Sequence, residues 1–103
     1  MTLNPSEYER YTTASRRGVI LKITSGLPAQ EVNSSVLHTL LGAAGFAALR
    51  EQVKEDVRWL QARELLAVET VGDGSVLLAR LTERGVFVLA GRIVLDGVLA
   101  PVV

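Results

Sequence analysis

Between Ala47 and Arg63 the chain repeats one spacing. Leu49, Val53, Val57 and Leu60 stand 4, 4 and 3 residues apart. At about 100° per residue they fall within an arc of roughly 80°, which predicts an amphipathic helix over 47–63 with one side pressed into a core. The opposite side carries Glu51, Lys54, Glu55, Arg58 and Gln61, and Trp59 lies at the edge of the stripe. Asp56 joins the apolar side on the helical wheel. A carboxylate there needs hydrogen-bond donors, so a structural acid bonded to backbone N–H groups or to an arginine, Arg16 or Arg17, is expected.

The rest of the chain supplies partners for that stripe. Pro5 and Ser6 suit a helix start, and 6–24 reads as a helix with Tyr8, Tyr11, Val19, Ile20 and Ile23 as its apolar residues. Gly18 weakens it by about 1 kcal/mol relative to Ala. Ser25-Gly26-Leu27-Pro28 ends it. A second helix, 33–44, has Asn33 or Ser34 as its cap and Val36, Leu37, Leu40 and Leu41 on one face, with Gly45 as a left-handed stop. After the third helix, Leu65–Val71 and Ser75–Leu81 flank Gly72-Asp73-Gly74, a strong signal for a hairpin over 65–81. Thr82 caps a fourth helix, 82–91. Val86-Phe87-Val88 is β-branched enough to favour a strand, but the Thr82 cap and the Ala90-Gly91-Arg92 ending favour a helix.

The fold class expected is therefore α+β, with one domain over 1–92 and an apolar tail over 93–103. The 103 residues suffice for one domain, and 49% of them are apolar. Ile93, Val94, Leu95, Val98, Leu99, Val102 and Val103 are too many apolar residues to leave in water. The tail could pack back on its own domain; the preferred expectation is that part of it joins the first helix in a homodimer, with Tyr8, Tyr11, Ile93, Leu95, Val98 and Leu99 at the interface.

Several function classes are excluded or disfavoured. Eleven Lys and Arg balance eleven Asp and Glu, which rules out a strongly basic nucleic-acid sponge and an acidic tail protein. With no cysteine there are no disulfides, thiol catalysis or cysteine zinc sites. The single histidine, His38, is expected at the surface and has no companion ligands for a metal. Nucleophile-elbow and phosphate-loop patterns are missing, so no enzyme activity and no cofactor are expected. The longest uncharged run, Val32 to Leu49, is broken by Asn33, Ser34, Ser35, His38 and Thr39. It does not predict a membrane span, and with no apolar leader a cytoplasmic protein is expected.

Helix, helix, helix, hairpin, helix is the order of a winged-helix domain. Three segments carry that resemblance: Asp56-Val57-Arg58-Trp59-Leu60, Leu65-Leu66-Ala67-Val68-Glu69, and Leu81-Thr82-Glu83-Arg84-Gly85. The last resembles the Leu-Thr-x-x-Gly step after the wing in MarR and ArsR regulators. With Ala90-Gly91-Arg92, the stretch from Arg17 to Arg92 is most similar to small winged-helix proteins of Mu-like prophages. The resemblance implies a helix-turn-helix, a hairpin wing and a homodimeric, phage-type transcription regulator on double-stranded DNA. In such a dimer the two third helices stand about 34 Å apart, in successive major grooves. Arg50, Gln52, Lys54, Arg58 and Gln61 would form the DNA-contacting set.

Some residues depart from that pattern. Ala47-Ala48-Leu49 offers no capping oxygen to the third helix, and Ala62-Arg63-Glu64 has no glycine before the wing. From Arg50 to Glu64, Arg50, Lys54, Arg58 and Arg63 are cancelled by Glu51, Glu55, Asp56 and Glu64. The wing tip, Gly72-Asp73-Gly74-Ser75, presents an acid where phosphate would favour a cation. The first helix alone is net positive: Arg10, Arg16, Arg17 and Lys22 stand against Glu7 and Glu9. Those arginines suit DNA-backbone contacts, or surface charges and ion pairs across a subunit interface. The competing reading is a protein-interaction or assembly module that keeps the winged-helix frame without binding DNA.

Overall fold

The computed structural model describes residues 2–101. Among them are four helices, α1 (Pro5–Ser25), α2 (Ser34–Ala43), α3 (Arg50–Ala62) and α4 (Glu83–Leu89), and three strands, β1 (Glu31–Asn33), β2 (Leu66–Val71) and β3 (Val76–Leu81). The class is α+β, and the element order is compatible with a winged helix.

Three helices start on a side-chain oxygen that accepts an otherwise orphaned N–H. Asn4 Oδ1 accepts from the Glu7 N–H at 2.8 Å, Asn33 Oδ1 from Val36 at 2.8 Å, and Thr82 Oγ1 from Gly85 at 3.0 Å. The third helix solves its missing cap differently. Gln52 folds back and its Oε1 accepts the Leu49 N–H at 2.9 Å. The helix accordingly begins at Arg50 rather than Ala47, and Leu49, expected in the apolar stripe, is 71% exposed.

The hairpin forms as expected around Gly72 and Gly74, both at positive φ, and pairs from Leu66↔Leu81 to Val71↔Val76. A third strand was not expected. Glu31–Asn33 pairs antiparallel with β3, Val32 against Ala79, giving the sheet order β1-β3-β2. The turn before the wing lacks glycine, and Glu64 takes the left-handed conformation instead, at φ 64°. Leu81-Thr82-Glu83-Arg84-Gly85 now has a physical reason. Thr82 caps α4 and donates its hydroxyl to the Glu64 carbonyl at 2.7 Å. At Gly85 a Cβ would stand 2.4 Å from the Leu65 carbonyl oxygen, so only glycine lets α4 lie that close.

The core gathers Ile20 and Leu21 of α1, Leu37 and Leu41 of α2, and Val53, Val57 and Leu60 of α3. Leu65, Leu66, Leu77, Ala79 and Leu81 of the hairpin, with Val88 of α4, close it. Val98 belongs to it too. The tail packs on its own domain. It returns as a strap across α1, the Leu99 N–H donating to the Ala14 carbonyl at 3.0 Å. Gly18 makes the crossing possible, since a Cβ there would fall 1.6 Å from the Leu99 carbonyl oxygen. Val98 is therefore withdrawn from the expected dimer surface, and Ile93 and Leu95 pack partly against the same core. Val102 and Val103, also counted in that tail, lie outside the described residues.

Asp56 sits under the strap, 2% exposed, and is held by both candidate arginines. Arg16 Nε donates to one carboxylate oxygen and Arg17 Nε to the other, the latter at 3.1 Å. Arg17 also donates to the Gly97 carbonyl at 3.1 Å, and its guanidinium lies 4.0 Å from the Trp59 ring centre. On the other side, Arg63 stacks on the same indole at 3.6 Å. Arg16 and Arg17 are thus both committed to Asp56 of their own chain.

Candidate nucleic-acid interface

The outward face of α3 carries the five residues expected to contact DNA, but the fold does not use them as one set. Gln52 is committed to the helix start. Arg58 donates to Gln61 Oε1 at 3.0 Å, so those two pair with each other near the end of α3. Arg50 and Lys54, one turn apart, are the two that face a cavity.

That cavity is a cleft of about 210 Å³ where the start of α2, the face of α3 and the turn end of the hairpin meet. Ser34, Ser35, Arg50, Lys54, Ser75 and Val76 line it. Each element has a reason to be there. Ser34 is buried, and its Oγ accepts the Leu77 N–H at 3.0 Å, which ties the first turn of α2 to β3. Ser35 follows on that turn, and its Oγ accepts from Arg50 Nη1 at 3.3 Å. Ser75 leaves the hairpin turn, where its N–H donates to Asp73 Oδ1 at 3.0 Å. The lining holds two cations and three hydroxyls and no carboxylate. Lys54 meets Glu51 at 3.5 Å along its own helix.

None of the three serines was expected as a contact, although Ser75 belongs to the wing tip already weighed against phosphate. A signal was present: Ser34-Ser35 follows the Asn33 cap, and Ser75 closes the Gly-Asp-Gly turn.

One carboxylate borders the cleft, and the remaining charges lie further off. Asp73 at the wing tip has its pKa lowered below the ordinary 3.8, because the Ser75 hydroxyl and N–H both favour its ionised form. The tip is thus an anion. Arg80, on β3, lies 3.4 Å from Glu31 and 4.0 Å from Glu69. Arg16 is buried and Arg17 half-buried, and both are bonded to Asp56. His38 is half-buried rather than a plain surface residue, and its Nε2–H donates to the Ala48 carbonyl at 2.9 Å, pinning the loop ahead of α3. Among the described residues no group of three His, Cys, Asp or Glu stands together as metal ligands. No helix among them is long and apolar enough to cross a membrane.

The chain is similar to a protein of Escherichia phage Mu, uncharacterised protein gp26. The two are 35% identical over 89 residues, 86% of this chain and 90% of the Mu protein. This chain belongs to the gp26 family. No family model matches it. No solved structure matches it. An 89-residue match within 103 residues cannot avoid α2, α3 or the hairpin, so the gp26 likeness runs through every element that builds the cleft.

Proposed function

We propose that this protein is a small, non-enzymatic winged-helix DNA-binding protein of phage type, acting as a transcription regulator. In this reading α2 and α3 form the helix-turn-helix and β2–β3 the wing. The cleft carries the proposal. Phosphate oxygens accept hydrogen bonds from arginine, lysine and serine hydroxyls, and the cleft gathers Arg50, Lys54, Ser34 and Ser35 beside the hairpin turn. A phosphate seated there would hold α3 along a major groove. Arg50 then stands nearest the backbone, with Arg58 and Gln61 further along for base edges.

The charge balance tempers affinity. The helix is neutral overall, and Asp73 repels phosphate at the wing tip, so binding is expected to be weak and carried by few ionic contacts. Fluorescence anisotropy with a labelled duplex tests this. With two phosphate-contacting cations per protomer, log K should fall with log salt at a slope near −2 for each protomer bound. Arg50→Ala and Lys54→Ala should each reduce that slope by about 1 and weaken binding about tenfold near 50 mM salt. Asp73→Asn should strengthen it. If no duplex is retained at low salt, the regulator reading fails. The neutral α3 and the acidic wing tip would then favour a protein-interaction module on the same frame, indifferent to both cleft substitutions.

A further inference from the structure

The first two turns of α1 leave the domain. Ser6 and Tyr8 to Tyr11 are exposed, and the helix reaches the body of the protein only at Ala14. From Pro5 to Ala14 it overhangs by about 13 Å at 1.5 Å per residue, and the molecule is correspondingly long, 46 × 30 × 24 Å. Beneath the overhang an open groove of about 1420 Å³ separates it from the strap, with Trp59 among its lining residues. Small-molecule sites run to roughly 1,000 Å³. The groove suits a rod-shaped occupant.

We infer that the occupant is the overhang of a second copy of this chain, crossing the first antiparallel about a two-fold axis. Apolar surface is concentrated there. Of the nine large hydrophobic side chains exposed among the described residues, five lie on the overhang or the strap: Leu3, Tyr8, Tyr11, Val94 and Leu99. Together they expose on the order of 600 Å², most of the roughly 800 Å² per partner that a stable dimer buries. The overhang is also complementary to itself. Glu7 and Arg10 lie one turn apart and both face the groove. An antiparallel crossing sets each Arg10 against the second copy's Glu7, and the two-fold makes both pairs at once. The inference is independent of DNA binding, and its test contains no DNA.

Sedimentation equilibrium on the whole chain should give a dimer, twice the 11.1 kDa chain mass, at about 50 µM protein. Tyr11→Asp should yield monomer. Glu7→Arg and Arg10→Glu each oppose like charges twice across the axis and should weaken dimerisation about tenfold. An equimolar mixture of those two variants should re-form a dimer, because one copy then carries two arginines where the other carries two glutamates. All three positions lie outside the core, so circular dichroism should match the parent chain. A parent chain that stays monomeric at about 200 µM overturns the inference. So does a dimer that survives Tyr11→Asp, or a charge-reversed pair that does not recombine.

Discussion

Replacing Asp56 by alanine is expected to lower the stability of the domain by about 3–5 kcal/mol, the range for removing one partner of a buried ion pair. A domain of this size holds roughly 5–15 kcal/mol in all, so the variant should sit near the edge of unfolding. The magnitude follows from what is left behind. Arg16 and Arg17 expose only 10% and 17% of their side chains. Without the carboxylate, two guanidinium groups face each other with little access to water. Arg17 would keep the Trp59 face and the Gly97 carbonyl, while Arg16 would lose the carboxylate to which its Nε donates. Urea denaturation followed by the fluorescence of Trp59, the single tryptophan, measures the cost. In an Arg16→Met background the same substitution should cost clearly less, because the charge that suffers most is already gone. An Asp56→Ala variant within about 1 kcal/mol of the parent chain would refute this account of the cluster.

Where the sequence disclosed the structure, the signal was local chemistry or a mismatch of polarity with position. Asn33 and Thr82 announce helix starts because their oxygens accept N–H groups two or three residues away. Gly72-Asp73-Gly74 announces a turn because it tolerates positive φ. Asp56 was legible because a carboxylate on the apolar side of a helix must find donors, and the arginines that supply them are adjacent on one neighbouring helix. What escaped depended on distant backbone. Glu31-Val32-Asn33 is too short to show an alternation, and it is a strand only because β3 offers it an edge. Leu49 matched the apolar spacing of α3, but Gln52 caps the helix one residue later and leaves Leu49 in solvent.

The same division governs the candidate interface. Arg50 and Lys54 were readable from the polar face of one helix, since that face is a matter of spacing. Their separation from Arg58 and Gln61 was not, because it depends on where α2 and the hairpin abut α3. Ser34-Ser35 and Ser75 come from two distant places in the chain and share a cleft only after the sheet closes. The tail was recognised as too apolar for water, but its destination was settled by a gap on α1 that spacing does not reveal.

That gap yields the second large effect. In an isolated helix Gly18→Ala gains about 1 kcal/mol, because alanine is the better helix former. Here the sign is expected to reverse, with a net loss of about 1.5–2 kcal/mol. The new Cβ would stand 1.6 Å from the Leu99 oxygen and 2.6 Å from its carbonyl carbon. Both are backbone atoms, so no rotamer change relieves the clash and the strap must lift. Lifting it exposes Val98, worth about 1.5–2 kcal/mol of burial, and breaks the bond from Leu99 to the Ala14 carbonyl, worth about 1 kcal/mol. The strain also reaches Gly97, which holds Arg17 over Asp56. Faster hydrogen exchange at the Leu99 N–H should accompany the loss, and the slope of the urea transition should fall because the strap is already exposed before unfolding. In a Val98→Ala background there is less burial to forfeit, so the cost of Gly18→Ala should shrink. If Gly18→Ala instead raises stability, helix propensity alone governs the position and the strap contributes nothing to the fold.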